Sequence, residues 1–194
     1  MLQPESAQPY TLAEYWKLIE TFPEHRYEYI DNHVRMMTGG TPAHGQITGN
    51  IITFLNNTLR DEECNVYNPD VAVRLAENRY YYPDISVSCD PHDWTRTKAI
   101  EAPTVIIEVL SPGTEHIDRL EKLPVYKAYP TIQDILLVDA RKRFVEHYHR
   151  VGPSSWMNHM LGPGDTITLG SLQVALPVDE IYRKVYLEME DKLA

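Results

Sequence analysis

Glu108 interrupts residues 104–110 (TVIIEVL), an otherwise continuous apolar run. An ionised carboxylate inside such a run is costly to bury unless it meets a partner or a metal ion. A second acid, Asp84, follows Pro83 in another strand-like stretch, residues 80–88. Proline limits strand pairing there and marks an edge, a start or a bulge. Two oxygen-bearing side chains on neighbouring strands can share a hard cation such as Mg²⁺. Each acid alone has a plainer reading: Glu108 in a surface ion pair, Asp84 in a turn-forming Pro-Asp. Together they favour the functional one. Downstream, Glu115, Asp118 and Lys122 share one face of the helix expected after Glu108. Spacing alone makes Asp118 and Lys122 an ordinary solvated helix pair, contributing about 0.3–0.5 kcal/mol.

Other combinations are weaker. His147 and His149 lie on one strand face and could bind zinc, but a structural tetrahedral site needs four ligands, and the polar face of a hairpin is the simpler reading. Ser111, His116 and Asp118 have the residue types of an acyl-transfer triad without the Gly-x-Ser-x-Gly elbow. No Gly-Lys-Ser/Thr follows Gly39 and Gly40, so they form no phosphate loop. Residues 141–143 (RKR) read as a charged turn that could also touch a phosphate backbone.

The elements that must position these residues follow from pattern. Thr11 and Glu14 form a capping box, and Leu12, Tyr15, Trp16, Ile19 and Phe22 make a helical stripe that Pro23 ends. A hairpin is expected over 26–30 and 34–38, joined by Asp31-Asn32-His33, then a loop and a helix over 43–60. Residues 65–75 and 80–88 read as strands. The 104–110 run fits a strand buried on both faces. Helix is expected over 115–123, with Pro124 as a kink or the start of a new turn. Strands follow at 134–139, 143–150, 155–160 and 165–169, and an amphipathic helix near 179–190. Residues 1–9 read as a loose tail, and 10–194 as one domain. The order fits a mixed α/β or α+β fold.

The 194 residues are enough to bury a core without staples. No apolar run is long enough to span a bilayer, and the N-terminus lacks the pattern of a secretory signal. Cys64 and Cys89 are the two cysteines, read most simply as reduced thiols in the cytoplasm. The net charge of −10 opposes indiscriminate coating of nucleic acid. It does not oppose a metal-dependent nuclease, whose clustered acids hold a cation.

Several motifs in order resemble the Uma-two family of restriction-endonuclease-like proteins, which have the PD-(D/E)XK fold. They are Pro83-Asp84, residues 107–112 (IEVLSP), 118–126 (DRLEKLPVY) and 135–139 (ILLVD), with residues 27–31 (YEYID) and His44 upstream. The resemblance spans about residues 10–185 and implies a mixed central sheet flanked by helices. It implies that Asp84 and Glu108 bind the metal, Mg²⁺ or Mn²⁺, with the Val109 carbonyl as a further ligand. Where the usual pattern has lysine two residues after the second acid, this sequence has Leu110; the displaced lysine corresponds to Lys122. Glu28 corresponds to an additional acid, and Asp118 is a further candidate. The implied activity is hydrolysis of DNA phosphodiesters to 5′-phosphate products by a cytoplasmic homodimer. A nuclease-fold binding or regulatory protein with little turnover is the competing reading, because a fold does not fix its function.

Overall fold

The computed structural model describes residues 9–37 and 39–187. The tail at 1–8, Thr38 and residues 188–194 therefore lie outside the description. Helix α1 (Leu12–Thr21) begins at the expected capping box: Thr11 Oγ1 accepts from the Glu14 amide at 3.2 Å, and Glu14 Oε2 accepts from the Thr11 amide at 2.7 Å. Strands β1 (Tyr27–Ile30) and β2 (His33–Met36) form a tight hairpin. Its two-residue turn is Asp31-Asn32, with φ of 48° and 69°, and His33 belongs to β2 rather than to the turn. Asn and Asp tolerate this left-handed backbone, so no glycine is needed. Helix α2 (Pro42–Thr58) starts under a Thr41 cap with proline in its first turn, and buries Ile47, Ile51 and Leu55.

The next segments depart from the sequence expectation. Residues 65–75 divide into β3 (Asn65–Tyr67) and β4 (Ala72–Ala76), and residues 80–88 divide into β5 (Arg79–Tyr81) and β6 (Ile85–Ser88). Asn68 turns the chain by accepting from the Asp70 amide through its side chain. Pro83, which has no N–H, occupies the second break. The chain leaves one sheet after β3 and returns to it at β6. Strands β7 (Ala99–Ile100) and β8 (Val105–Leu110) follow, then α3 (Glu115–Ile117), a π-helical turn at Asp118–Lys122, and α4 (Leu123–Ala128) with Pro124 in its first turn. Beyond these come β9 (Asp134–Asp139), β10 (Val145–Gly152), β11 (Ser155–Leu161), β12 (Thr166–Leu169) and β13 (Val174–Pro177).

Two sheets dominate. One has the order β2-β1-β5-β4-β7, the other β11-β10-β9-β8-β6-β3; β12 and β13 form a separate ribbon. The second sheet is mixed, with β8 and β9 parallel at its centre and antiparallel pairs outside them. Its alternation defines two cores. Ile107, Val109, Leu136 and Val138 pack against α2 and the β12–β13 ribbon. Ile106, Leu110, Ile135 and Leu137 pack against Leu123 and Tyr126 of α4 and against Tyr81 and Val73 of the first sheet. The outer face of the first sheet is covered by α1, through Tyr15 stacked on Tyr29. Among the described residues, no helix is long and apolar enough to cross a membrane.

Two further expectations are corrected. The last helix, α5, spans Val178–Ile181; Lys184 takes a left-handed φ of 57° soon after, which ends the helix expected near 179–190 well before residue 187, and 188–190 lie outside the described residues. The cysteines are not reduced thiols: Cys64 and Cys89 form a disulfide. The β3–β6 register pairs Asn65 with Ser88, so the cysteines one step further face each other. That register joins segments 25 residues apart and is not readable from cysteine spacing. The bond removes the ground on which a cytoplasmic location was expected.

Candidate active site

Period-two alternation aims the central carboxylate. Ile106, Glu108 and Leu110 share one face of β8. Glu108 therefore points between the two sheets, where it is 2 % exposed, and Leu110 is buried beside it among Leu123 and Tyr126. From the other sheet, Tyr27 and Tyr29 face α1, so Glu28 between them points inward from β1. The space between these acids is filled from the helical segment. Lys122 Nζ lies 3.0 Å from Glu28 Oε1, 3.2 Å from Glu108 Oε1 and 3.4 Å from Asp118 Oδ1. Lys122 and Asp118 are each 4 % exposed, so the solvated-pair reading of their spacing fails. The π-helical turn widens the backbone across 118–122. Such turns are frequent at functional sites.

Asp84 approaches from the break between β5 and β6. Its Oδ2 accepts from the Val109 amide at 2.7 Å, and its own amide donates to Glu108 Oε2 at 3.3 Å. These reciprocal bonds hold the two carboxylates against each other across neighbouring strands. His44, in the first turn of α2, places Nε2 3.2 Å from Asp84 Oδ2. Gly40 makes room for this ring: a Cβ there would stand 2.8 Å from His44 Nδ1. Tyr126 donates its hydroxyl to Glu108 Oε1 at 2.6 Å. Arg35, directly opposite Glu28 in the β1–β2 register, binds Glu28 on one side and Glu121 on the other.

The electrostatics follow from this crowding. Burial raises the Glu108 carboxyl, Lys122 pulls it down, and Asp118 and Asp84 raise it again; the balance pushes it up to about 8. Burial also raises Asp118, against the pull of Lys122. For Lys122 burial acts downward, but Glu108, Glu28 and Asp118 together outweigh it and lift the ammonium well above its usual range. Lys122 thus stays charged at neutral pH. The Tyr126 hydroxyl is raised well above its ordinary value by burial and by Glu108, so it remains a proton donor.

Glu28, Asp84, Glu108, Asp118 and Lys122 all line one cavity of about 610 Å³, together with His44, Ser111 and Arg35. The structure therefore brings together the five residues that the resemblance assigned to a metal-dependent site. It adds Tyr126 and Arg35. An opposite-charge pair across the β1–β2 hairpin was a usable signal for Arg35. Tyr126 ends the 118–126 motif, but nothing in the sequence marked it as a partner of Glu108. The acyl-transfer combination does not form, although Ser111 and Asp118 line the cavity. Ser111 bonds to Thr114, and Asp118 faces Lys122. Arg141 is tied to Asp139 and Glu115 as part of a charged turn.

A mixed sheet with helices on both sides and acids converging from adjacent strands defines a restriction-endonuclease-like α+β fold. The chain belongs to the Uma2 family, described as "Putative restriction endonuclease", which it matches over residues 12–179. A solved structure described as a "putative nuclease belonging to DUF820" from Anabaena variabilis ATCC 29413 shares the fold. The TM-score is 0.68 at 20 % identity, covering 90 % of this chain and 98 % of that one. Two proteins of Synechocystis sp. (strain ATCC 27184 / PCC 6803 / Kazusa) are also similar. Uncharacterized protein slr1290 is 32 % identical over 93 % of this chain and 95 % of its own length. Uncharacterized protein sll1609 is 28 % identical over 84 % and 94 % respectively.

Proposed function

We propose that this protein is an endonuclease that hydrolyses DNA phosphodiester bonds with a divalent metal, Mg²⁺ or Mn²⁺. The observation that carries the reading is the convergence of Glu28, Glu108 and Asp118 on the ammonium of Lys122, with Asp84 bonded to the neighbouring strand in the same cavity. The donor set fits a hard cation. It consists of carboxylate oxygens, and burial, with the charges of Asp118 and Asp84, raises the Glu108 carboxyl despite Lys122. Asp84 and Glu108 would hold the ion, with the Val109 carbonyl beside them. Bound there, a cation supplies a water of lowered pKa and neutralises charge on the phosphate.

The chain's own residues have distinct tasks in this reaction. A water oxygen forms a bond to phosphorus and releases a proton, the bond from phosphorus to the 3′ oxygen breaks, and that oxygen takes up a proton in exchange. The product carries a 5′-phosphate. Because Lys122 stays protonated, it acts as a donor to the attacking water or to a phosphate oxygen, not as a base. Glu28 and Asp118 hold its ammonium in place. Tyr126 orients Glu108, and Arg35 orients Glu28. His44 fixes Asp84 from the cavity wall. Cleavage of both strands is simplest with two sites related by a two-fold axis, so the reading includes a homodimer. Light scattering at micromolar concentration should give a dimer mass.

The test uses supercoiled plasmid with Mg²⁺, with Mn²⁺ or with EDTA, beside Asp84→Ala. Metal-dependent nicking by the wild type alone is the expected result. Metal-dependent DNA binding with no turnover would instead favour the binding-module reading. Millimolar Mg²⁺ or Mn²⁺ should also raise the melting temperature, since a ligand bound to the native state stabilises it. Glu108→Gln should weaken that rise, and a melting temperature indifferent to both metals would argue against the site.

A further inference from the structure

We propose that Asp134, His147 and His149 form a second metal site, for one zinc-like transition-metal ion, on the sheet face opposite Glu108. The inference is independent of the nuclease reading. Residues 145, 147 and 149 alternate onto the face of β10 that carries Val145, and the β9–β10 register sets His149 opposite Asp134 and His147 opposite Leu136. Leu136 and Val138 belong to the core beneath α2 and the ribbon, so this face looks away from Glu108. The zinc reading of His147 and His149 lacked ligands in the sequence; strand pairing provides a carboxylate from 13 residues upstream of His147.

Asp134 is 0 % exposed. Its Oδ1 lies 2.7 Å from His147 Nε2 and 2.8 Å from His149 Nδ1. The three donor atoms all fall within 4.8 Å of one another, from three side chains on two paired strands. Ser171, in the turn between β12 and β13, donates to Asp134 Oδ2 at 2.7 Å. This leaves Oδ1 turned toward the imidazoles, the outer bracing that metal-binding carboxylates use. His159 on β11 pairs with His147 in register, with the rings 6.0 Å apart. It is exposed and stands outside the three-atom group.

The chemistry selects the ion. Two imidazoles and one carboxylate suit Zn²⁺, Ni²⁺ or Co²⁺. Mg²⁺ favours oxygen ligands and retains its waters. Three protein ligands with an open fourth position make a site that can exchange its outer ligand, unlike a closed structural zinc site. Asp134 is the buried anchor, and the half-buried His149 provides the path by which an ion enters.

The test is made in the Asp84→Ala, Glu108→Gln background, so that zinc at the acidic cavity does not contribute. Protein incubated with ZnCl₂ and passed through a desalting column is measured for zinc by mass spectrometry, and CoCl₂ titration is followed by visible absorption. About one zinc per chain and a cobalt spectrum of a four- or five-coordinate nitrogen-and-oxygen site are expected. His149→Ala should weaken zinc binding by about 10-fold or more, and its partly exposed position lets the fold be checked by circular dichroism. His147→Gln is the second variant. MgCl₂ in excess should not displace zinc. Zinc absent after desalting, or retained equally by both histidine variants in folded form, would overturn the site.

Discussion

Glu108 and Asp134 are buried carboxylates on adjoining parallel strands, and burial pushes both upward; yet Glu108 rises to about 8 while Asp134 settles below the ordinary range. The difference lies in what converges on each. Around Glu108 the pull of Lys122 is opposed by Asp118 and Asp84. Around Asp134 the burial penalty is outweighed by bonds from His147, Ser171 and His149. One face of the sheet thus concentrates negative charge around a shared ammonium. The other surrounds a single carboxylate with two imidazoles and a hydroxyl. A hard cation would relieve the first. The second offers an ionised carboxylate and nitrogen donors to a softer ion.

The strongest way to break this contrast is to remove Lys122. Lys122→Met leaves three acids without their common partner, and loss of one member of a buried ionic group costs about 3–5 kcal/mol. Urea denaturation should register that loss, and plasmid nicking should vanish. If stability is unchanged, the contacts of Lys122 with Glu28, Glu108 and Asp118 contribute nothing and the charge account of this face is wrong. The pH dependence is the next largest effect. With EDTA present, the folded Glu108 carboxyl holds its proton to about 8, whereas its unfolded value is near 4.5. The folded state then binds the extra proton, so this contribution to stability is present at low pH and is lost as pH rises through that window. The slope is at most about 1.4 kcal/mol per pH unit. Denaturation curves across the window should lose this slope in Glu108→Gln.

Asp134→Asn probes the opposite face. Imperfect replacement of its three bonds should cost about 1–3 kcal/mol, with nicking rates unchanged. A fall in nicking alongside intact folding would mean that the two faces are coupled through β8 and β9. The smallest effect belongs to the rim. Glu121 grips Arg35 but its side chain is 39 % exposed, so Glu121→Gln should cost less than about 1 kcal/mol in thermal denaturation. A larger loss would make Arg35 dependent on Glu121 for its hold on Glu28.

The sequence made one face far more legible than the other. Glu108 was visible because an acid in an apolar run is chemically conspicuous, and Pro83 drew attention to Asp84. Strand β8, strand β9 and the capped start of α1 followed from local pattern. Lys122 looked solvated because helical spacing says nothing about which face another sheet covers. The histidine cluster needed the β9–β10 register, a non-local property. The breaks inside 65–75 and 80–88 were hidden because each half remains strand-like; only sheet membership changes. Strand β13 escaped notice entirely, since residues 174–177 end in proline and pair only with β12.

The disulfide has a topological consequence. Cys64 and Cys89 stand at the two ends of the excursion that leaves the six-stranded sheet at β3, supplies β4 and β5 to the other sheet, and returns at β6. The bond therefore closes a loop at its neck. For a separation of 25 residues, chain-entropy reasoning credits such closure with about 3–4 kcal/mol, drawn from the unfolded ensemble. Reduction would leave every hydrogen bond of both sheets in place, yet free the neck to open by parting only the short β3–β6 ladder. Asp84 lies on the returning limb of that loop, but β6 stays paired with β8 when β3 parts, so the bond secures the edge of the sheet while the acid keeps its hold on the Val109 amide.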